Sequence, residues 1–255
     1  MSVTLGTKRK EGGIAETVRV IVHALIIALV IRTFLFQPFN IPSGSMEETL
    51  LVGDYLFVSK YSYGYSHYSF PFSPPLFSGR IMGFAPSRGD VAVFRPPEQP
   101  GTDFIKRIIG LPGDRIQVLE GVVQINGEPV KREAAEDFVG DDPCSYMGGA
   151  RATVRVKQWR ETLPNGVSYN TLACSQRGGF PNTTRVYAIP AGHYFMMGDN
   201  RDNSEDSRFA DVGFVPFENF IGPAEFIFFS VRGSAWKVWE WPWTIRWDHM
   251  MRPIR

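Results

Sequence analysis

A serine hydroxyl can attack an amide only if a neighbouring group takes its proton, and two stretches of this chain hold the two halves of that chemistry. Pro42-Ser43-Gly44-Ser45-Met46 sets two hydroxyls around a glycine, with a proline stiffening the approach. Such a turn can aim a serine oxygen outward, although read alone the stretch fits a plain linker better. In Asp103-Phe104-Ile105-Lys106-Arg107-Ile108-Ile109, strand alternation puts Phe104, Lys106 and Ile108 on one face, so a single amine stands between apolar neighbours. Histidine is the usual base for a serine, but the four histidines are scattered singly. His67 reads as a loop residue and His23 as a packing or lipid-interface residue. A lysine can act instead if its pKa falls from about 10.4 towards 8, a change of roughly 3 kcal/mol that removal from water can supply. The plain alternative for Lys106 is a strand-edge lysine that keeps the chain soluble. Neither CxxC nor HExxH occurs, so no metal or other cofactor is expected.

The elements that must carry these residues are short. The chain has 255 residues, 44% hydrophobic and 14% aromatic, enough for one sizeable core or two small ones. Its 25 glycines and 19 prolines, spread among β-branched and aromatic runs, predict many strands joined by turns. The net charge is +1 without basic clusters beyond the N-terminus, which excludes a nucleic-acid partner. The one long helix expected is Thr17 to Phe36, an apolar run with Arg19 and Arg32 near its ends, matching the about twenty residues that cross a bilayer. Lys8, Arg9 and Lys10 precede it and no cation follows Arg32 until Lys60, so the N-terminus is expected in the cytoplasm and the rest outside. A cleavable secretory signal is the competing reading, with Ser43-x-Ser45 as its small-x-small site; Pro42 and the distance from the apolar run speak against it.

The expected fold class is mostly β: an antiparallel catalytic core with a β-rich insertion, behind one membrane helix. The segments are 1–16 in the cytoplasm, 17–36 across the membrane, 37–117 and 193–255 as core, and 118–192 as insertion. Strands are expected at Tyr55 to Ser59, Val91 to Phe94, Ile116 to Leu119, Val122 to Ile125 with an Asn126-Gly127 turn, Thr153 to Val156 and Val186 to Ile189. Residues 61–88 and 133–149 read as loops, and Arg88-Gly89-Asp90 as a turn. Cys144 and Cys174, an even pair on the outer side, are expected to form a disulfide worth roughly 3 to 4 kcal/mol. The tail from Ala224 to Trp247, with five tryptophans, reads either as a membrane-touching segment or as a strand against the core.

Taken in order behind a membrane anchor, PSGSM, RGDVAVF, DFIKRIIGLPGD and GDNRDNSEDSR closely resemble the type I bacterial signal peptidases, over roughly residues 36–115 and 193–230. The resemblance implies a membrane-bound serine endopeptidase with a two-part antiparallel β fold that removes signal peptides from exported preproteins at the outer face of the inner membrane. It implies Ser45 as nucleophile and Lys106 as general base, with Ser43 Oγ and the Ser45 N–H as oxyanion hole. Ser204 would orient the lysine, and Arg107, Asp199, Asp206 and Arg208 would form supporting ion pairs. Pockets for small side chains, accepting Ala-x-Ala-like ends, map to Phe39, Ile41, Pro42, Met46 and Leu50, and to Phe104, Ile105, Met196 and Met197. The substrate would lie extended along the strand near residues 103–107. Two departures stand out: relatives with a second N-terminal span, against one here, and Glu205 where relatives often carry a small residue.

The partners expected are exported preproteins and the lipid bilayer, with the chain a monomer. Within the same class, a specialised pilin- or conjugation-associated processing peptidase is the alternative. Outside it stands a membrane-tethered β scaffold whose serines and lysine are ordinary surface residues. Ser234-Ala235-Trp236-Lys237 and Ser168-Tyr169-Asn170 match penicillin-binding motifs, but in the wrong order and without Lys-Thr-Gly.

Overall fold

A computed structural model describes residues 13–144, 153–174 and 181–255. Lys8, Arg9 and Lys10, and the last five residues of the loop expected at 133–149, lie outside the described residues. Helix α1 (Ile14–Phe34) is apolar on every side, with Thr33 its one buried residue, and is long and apolar enough to cross a membrane. It stops two residues earlier than its apolar run predicts. Pro38 disfavours helical geometry at Gln37, so Phe36 already opens the first strand.

Strands follow in quick succession: β1 (Phe36–Asn40), β2 (Asp54–Ser59), β3 (Val91–Phe94) and β4 (Phe104–Gly110). Next come β5 (Arg115–Leu119), β6 (Val122–Ile125), β7 (Glu128–Pro129), β8 (Lys131–Ala134) and β9 (Phe138–Asp141). The rest are β10 (Thr153–Thr162), β11 (Ser168–Ala173), β12 (Tyr187–Ala188), β13 (His193–Met197), β14 (Val215–Pro216) and β15 (Phe220–Ser230). A seven-stranded sheet takes the order β1-β2-β15-β3-β4-β13-β14. One smaller sheet runs β12-β5-β6-β7; another joins β11, β10 and β8, with β9 pairing further along β10. Their ladders are antiparallel. The turn between β6 and β7 uses Asn126 (φ 56°) and Gly127 (φ 90°), the left-handed pair that a tight hairpin demands.

Two apolar clusters fix where the site falls. Met46, Leu50, Leu56, Val58, Val93 and Ile221 pack beneath the Ser45 turn. Ile116, Val118, Val123 and Ile125, from β5 and β6, pack with Ile109, Phe195 and Met197 of the large sheet. Burying such side chains contributes about 1.5 to 3 kcal/mol each, so β5 and β6 buttress the back of β4.

Two expected loops and the extent of the expected tail strand differ from the structure. Residues 61–88 are not an exposed loop throughout: Tyr63, Ser66 and Ser69 are buried. Arg80 ties the segment down by donating to the carbonyls of Tyr63, Phe217 and Phe220 at 2.6 to 2.8 Å. Within the loop expected at 133–149, residues 133–134 end β8 and 138–141 form β9, because β10 provides the partner that local composition cannot show. The tail reaches only Ser230 as a strand; beyond it, 3-10 turns and α2 (Trp241–Thr244) leave Trp236, Trp239, Trp243 and Trp247 exposed.

Candidate active site

Ser45 lies in a single 3-10 turn, Gly44–Met46, which follows β1 because Pro42 and the extended Ser43 (φ −128°) end the strand. Ser45 as a whole is 7% exposed. Lys106 comes from the middle of β4, 4% exposed, and its Nζ stands 2.6 Å from Ser45 Oγ. A second bond runs from Nζ to the Ile105 carbonyl at 3.0 Å, and the Phe104 ring lies 5.3 Å away. Burial strips the amine of water and pulls its pKa down from 10.5 to about 8, against the opposing pull of Asp206, Glu205 and Asp199. When neutral, the amine can accept the serine proton along the same 2.6 Å line. Ser43 Oγ sits 3.5 Å from Ser45 Oγ, on the same turn.

A cavity of about 430 Å³ opens on this pair. Its walls are Phe39, Ile41 and Pro42 on one side and Phe104 and Ile105 on the other. Asn40, Val52, Val93, Thr102, Asp103 and Asn203, which local sequence did not single out, also line it, and Glu205 stands among them. Met46, Leu50, Met196 and Met197, expected in the pocket, are instead core residues no more than 1% exposed. They lie beside site residues in sequence, but their side chains project into the clusters behind them.

The charges around the pair form closed sets. Arg107 grips Asp199 through two bonds of 2.8 and 2.6 Å and donates to the Gly89 carbonyl at 2.8 Å. Thr49 Oγ1 donates to the same Asp199 at 2.5 Å, joining the segment after Ser45 to β4. Burial works to raise the Asp206 pKa, but Arg208 at 2.8 and 2.9 Å and the Gly198 N–H hold it below the usual carboxylate range. A third pair escaped the sequence reading: Arg201 binds Glu161 of β10 at 3.0 and 2.6 Å, with the Tyr169 hydroxyl donating to the same carboxylate. Arg201 stands inside GDNRDNSEDSR; its partner is distant in sequence and nothing local marks it.

Ser204 does not make the lysine-orienting bond in this structure. Its hydroxyl is fully buried with no hydrogen-bond partner among the described residues, while Lys106 spends its second bond on its own strand. The space is tight: a Cβ at Gly198 would come within 2.4 Å of both the Ser204 side chain and the Ser45 carbonyl, so only glycine lets the loop close on the turn. Cys144 and Cys174 are joined, with Cα atoms 5.9 Å apart.

The family model described as signal peptidase, peptidase S26, matches residues 14–229, the stretch holding every group named above. The chain belongs to this family. Signal peptidase I of Rickettsia typhi is 45% identical over 219 residues, covering 83% of this chain and 79% of that protein. Signal peptidase I of Rickettsia conorii is 44% identical, covering 83% and 78%. The crystal structure of a signal peptidase I from Enterococcus faecalis shares 23% identity over 55% of this chain and 97% of that one, with a TM-score of 0.31. Membership makes the chain a serine endopeptidase of the S26 type.

Proposed function

We propose that this protein is a membrane-anchored peptidase that removes signal peptides from exported preproteins through a Ser45/Lys106 dyad, cutting after small residues. The observation that carries it is the 2.6 Å contact between a desolvated amine and a turn-borne hydroxyl at the mouth of a cavity. Neutral Lys106 takes the Ser45 proton as Oγ bonds to the scissile carbonyl carbon. The resulting oxyanion is held by the Ser45 N–H and the Ser43 hydroxyl. As the C–N bond breaks, the ammonium returns that proton to the leaving amine. Water, deprotonated by the same amine, then frees the acyl group. The unpartnered Ser204 hydroxyl is the group left to hold Lys106 once Ser45 is acylated. A buried hydroxyl without a partner costs about 1 to 3 kcal/mol and is kept where function uses it.

The apolar walls at Ile41, Phe104 and Ile105 suit short side chains, since larger ones would overlap them. Helix α1 would sit in the inner membrane and, by the charge bias around it, leave the site on the outer face. Ser45→Ala and Lys106→Met are each expected to abolish cleavage of a purified precursor while leaving the circular dichroism spectrum unchanged. Turnover by either variant would reject the dyad. A panel of unrelated precursors separates a general enzyme from one specialised for a single substrate.

A further inference from the structure

We propose that Asn200 is a positioning residue: its side-chain amide orients the oxyanion-binding N–H of Ser45, and the Cys144–Cys174 bridge acts through it. The inference rests on the reading of Ser45 as nucleophile. Asn200 is fully buried, and both hydrogens of its Nδ2 are used. One goes to the Gly44 carbonyl at 3.0 Å, the other to the Pro143 carbonyl at 2.7 Å. Its backbone N–H donates to the Ser45 carbonyl at 3.2 Å. Asn200 thus holds the carbonyls on either side of the nucleophile's own nitrogen.

Peptide planarity turns that grip into aim. In a trans peptide the N–H points opposite to the C=O, so fixing the Gly44 oxygen towards Asn200 directs the Ser45 N–H away from it. Gly44 and Ser45 line the cavity and Asn200 does not: it stands behind the turn, with the substrate space in front. The turn needs such a hold. It is one 3-10 turn, capped by the Glu47 N–H to Gly44 carbonyl bond at 3.1 Å, and its first residue is glycine.

The second hydrogen leads to the disulfide. Pro143 precedes Cys144, and its carbonyl also accepts from Asn203 Nδ2 at 2.8 Å. Cys174 closes the other side. It follows β11, where Leu172 is bonded through its backbone to Asp199 at 3.0 Å and to Arg201 at 3.1 Å, the two neighbours of Asn200. The bridge therefore encloses Asn200 between Pro143 and β11. Opening it frees Pro143 to leave Nδ2, and the amide loses one of the two carbonyls that set its plane.

The test compares full-length wild type, Asn200→Ala, Asn200→Asp, the Cys144→Ser/Cys174→Ser pair and the combination of Asn200→Ala with that pair. Each is assayed for kcat and KM on a signal-peptide substrate, and for inhibition by a peptide aldehyde, whose serine adduct carries the oxyanion. Binding of an uncleavable peptide supplies the ground-state reference. Both Asn200 variants are expected to lose roughly 10- to 100-fold in kcat, less than deleting an oxyanion donor outright. Aldehyde inhibition should weaken in step, with KM and ground-state peptide binding within twofold. Asn200→Asp keeps the shape and offers at most one of the two bonds, so it gives a result should the alanine variant fail to fold. Removing the bridge should lower kcat in the Asn200 protein and change nothing further in Asn200→Ala. Undiminished kcat in both Asn200 variants, equal losses in ground-state binding, or additive effects of bridge and amide would each overturn the inference. Ser45→Ala runs alongside: residual cleavage there removes the parent reading, whereas a dead Ser45→Ala beside a fully active Asn200→Ala removes this inference alone.

Discussion

Burial does not by itself turn a lysine into a base. Lys60 is also buried and also drawn down to about 8, yet its ammonium is held by the Ser69 carbonyl. Lys106 differs in having a hydroxyl at 2.6 Å that opens on a cavity. Because only the neutral amine can accept a proton, kcat/KM is expected to rise with pH and level off above about 8, in a pH–rate profile on a neutral peptide. Glu205 raises the pKa of that amine from across the cavity. Glu205→Gln should therefore move the rise to lower pH, and an upward move would contradict the assigned neighbourhood. The same depression has a sign for stability. Between the folded value near 8 and the unfolded value near 10.5 the unfolded chain binds more protons. The stability linked to this group is complete above the higher value and is lost as pH falls towards the lower. Lys106→Met, similar in volume and uncharged, should thus be inactive yet more stable at pH 7 by up to about 3 kcal/mol. The gain should fade between pH 8 and 10, as read by denaturant midpoints.

At the scale of elements, the site is a gap in the hydrogen-bonding of one strand. β4 pairs with β3 from Phe104 to Arg107, but β13 meets it only from Arg107 onward. On that side the backbone from Phe104 to Lys106 has no strand partner among the described residues, and it lines the cavity opposite Phe39 and Ile41. An extended substrate can add itself as a strand there. Strand-edge bonds recur at every second residue, so methylating substrate amides one at a time should lower kcat/KM about 10-fold at alternate positions only, the value of one lost bond. Equal losses at consecutive positions would exclude strand addition. Much of this was legible beforehand, because a turn with Ser-Gly-Ser and an amine between Phe104 and Ile108 are local patterns. What was hidden depends on partners distant in sequence. The apolar Met196 and Met197 could not be assigned to cavity or core, since both faces of β13 are buried. Glu161 carries no mark of Arg201, nor Pro143 of Asn200, because each contact exists only once β10, β11 and the Asp199 loop have been brought together.

For the whole molecule, the question is how the end of α1 is coupled to the sheet that carries the site. The end of α1 is gripped by aromatic rings: Phe34 meets Tyr65 and Phe70 edge-on, and the Tyr65 hydroxyl donates to the Phe34 carbonyl at 2.9 Å. From there a half-buried aromatic row crosses the sheet, from Phe36 to Phe57, on to Phe228 and Tyr55, and through Phe229 to Trp241. It joins the exit of the helix to the tail that exposes Trp236, Trp239, Trp243 and Trp247. Indole rings favour the headgroup layer, where the ring is apolar and the N–H stays wet. The arrangement predicts that the sheet lies along the bilayer rather than swinging free on α1. In vesicles containing brominated lipid, the full-length protein should lose part of its tryptophan fluorescence. Changing those four tryptophans to serine should remove most of the quenching, since the two that remain, Trp159 and Trp241, are half-buried against Arg132 and Phe229. The same substitutions should slow cleavage of membrane-inserted precursors while leaving kcat/KM on a short soluble peptide within twofold, because none of the four lines the cavity. Unchanged quenching after all four substitutions would show that these side chains face water and take no part in membrane contact.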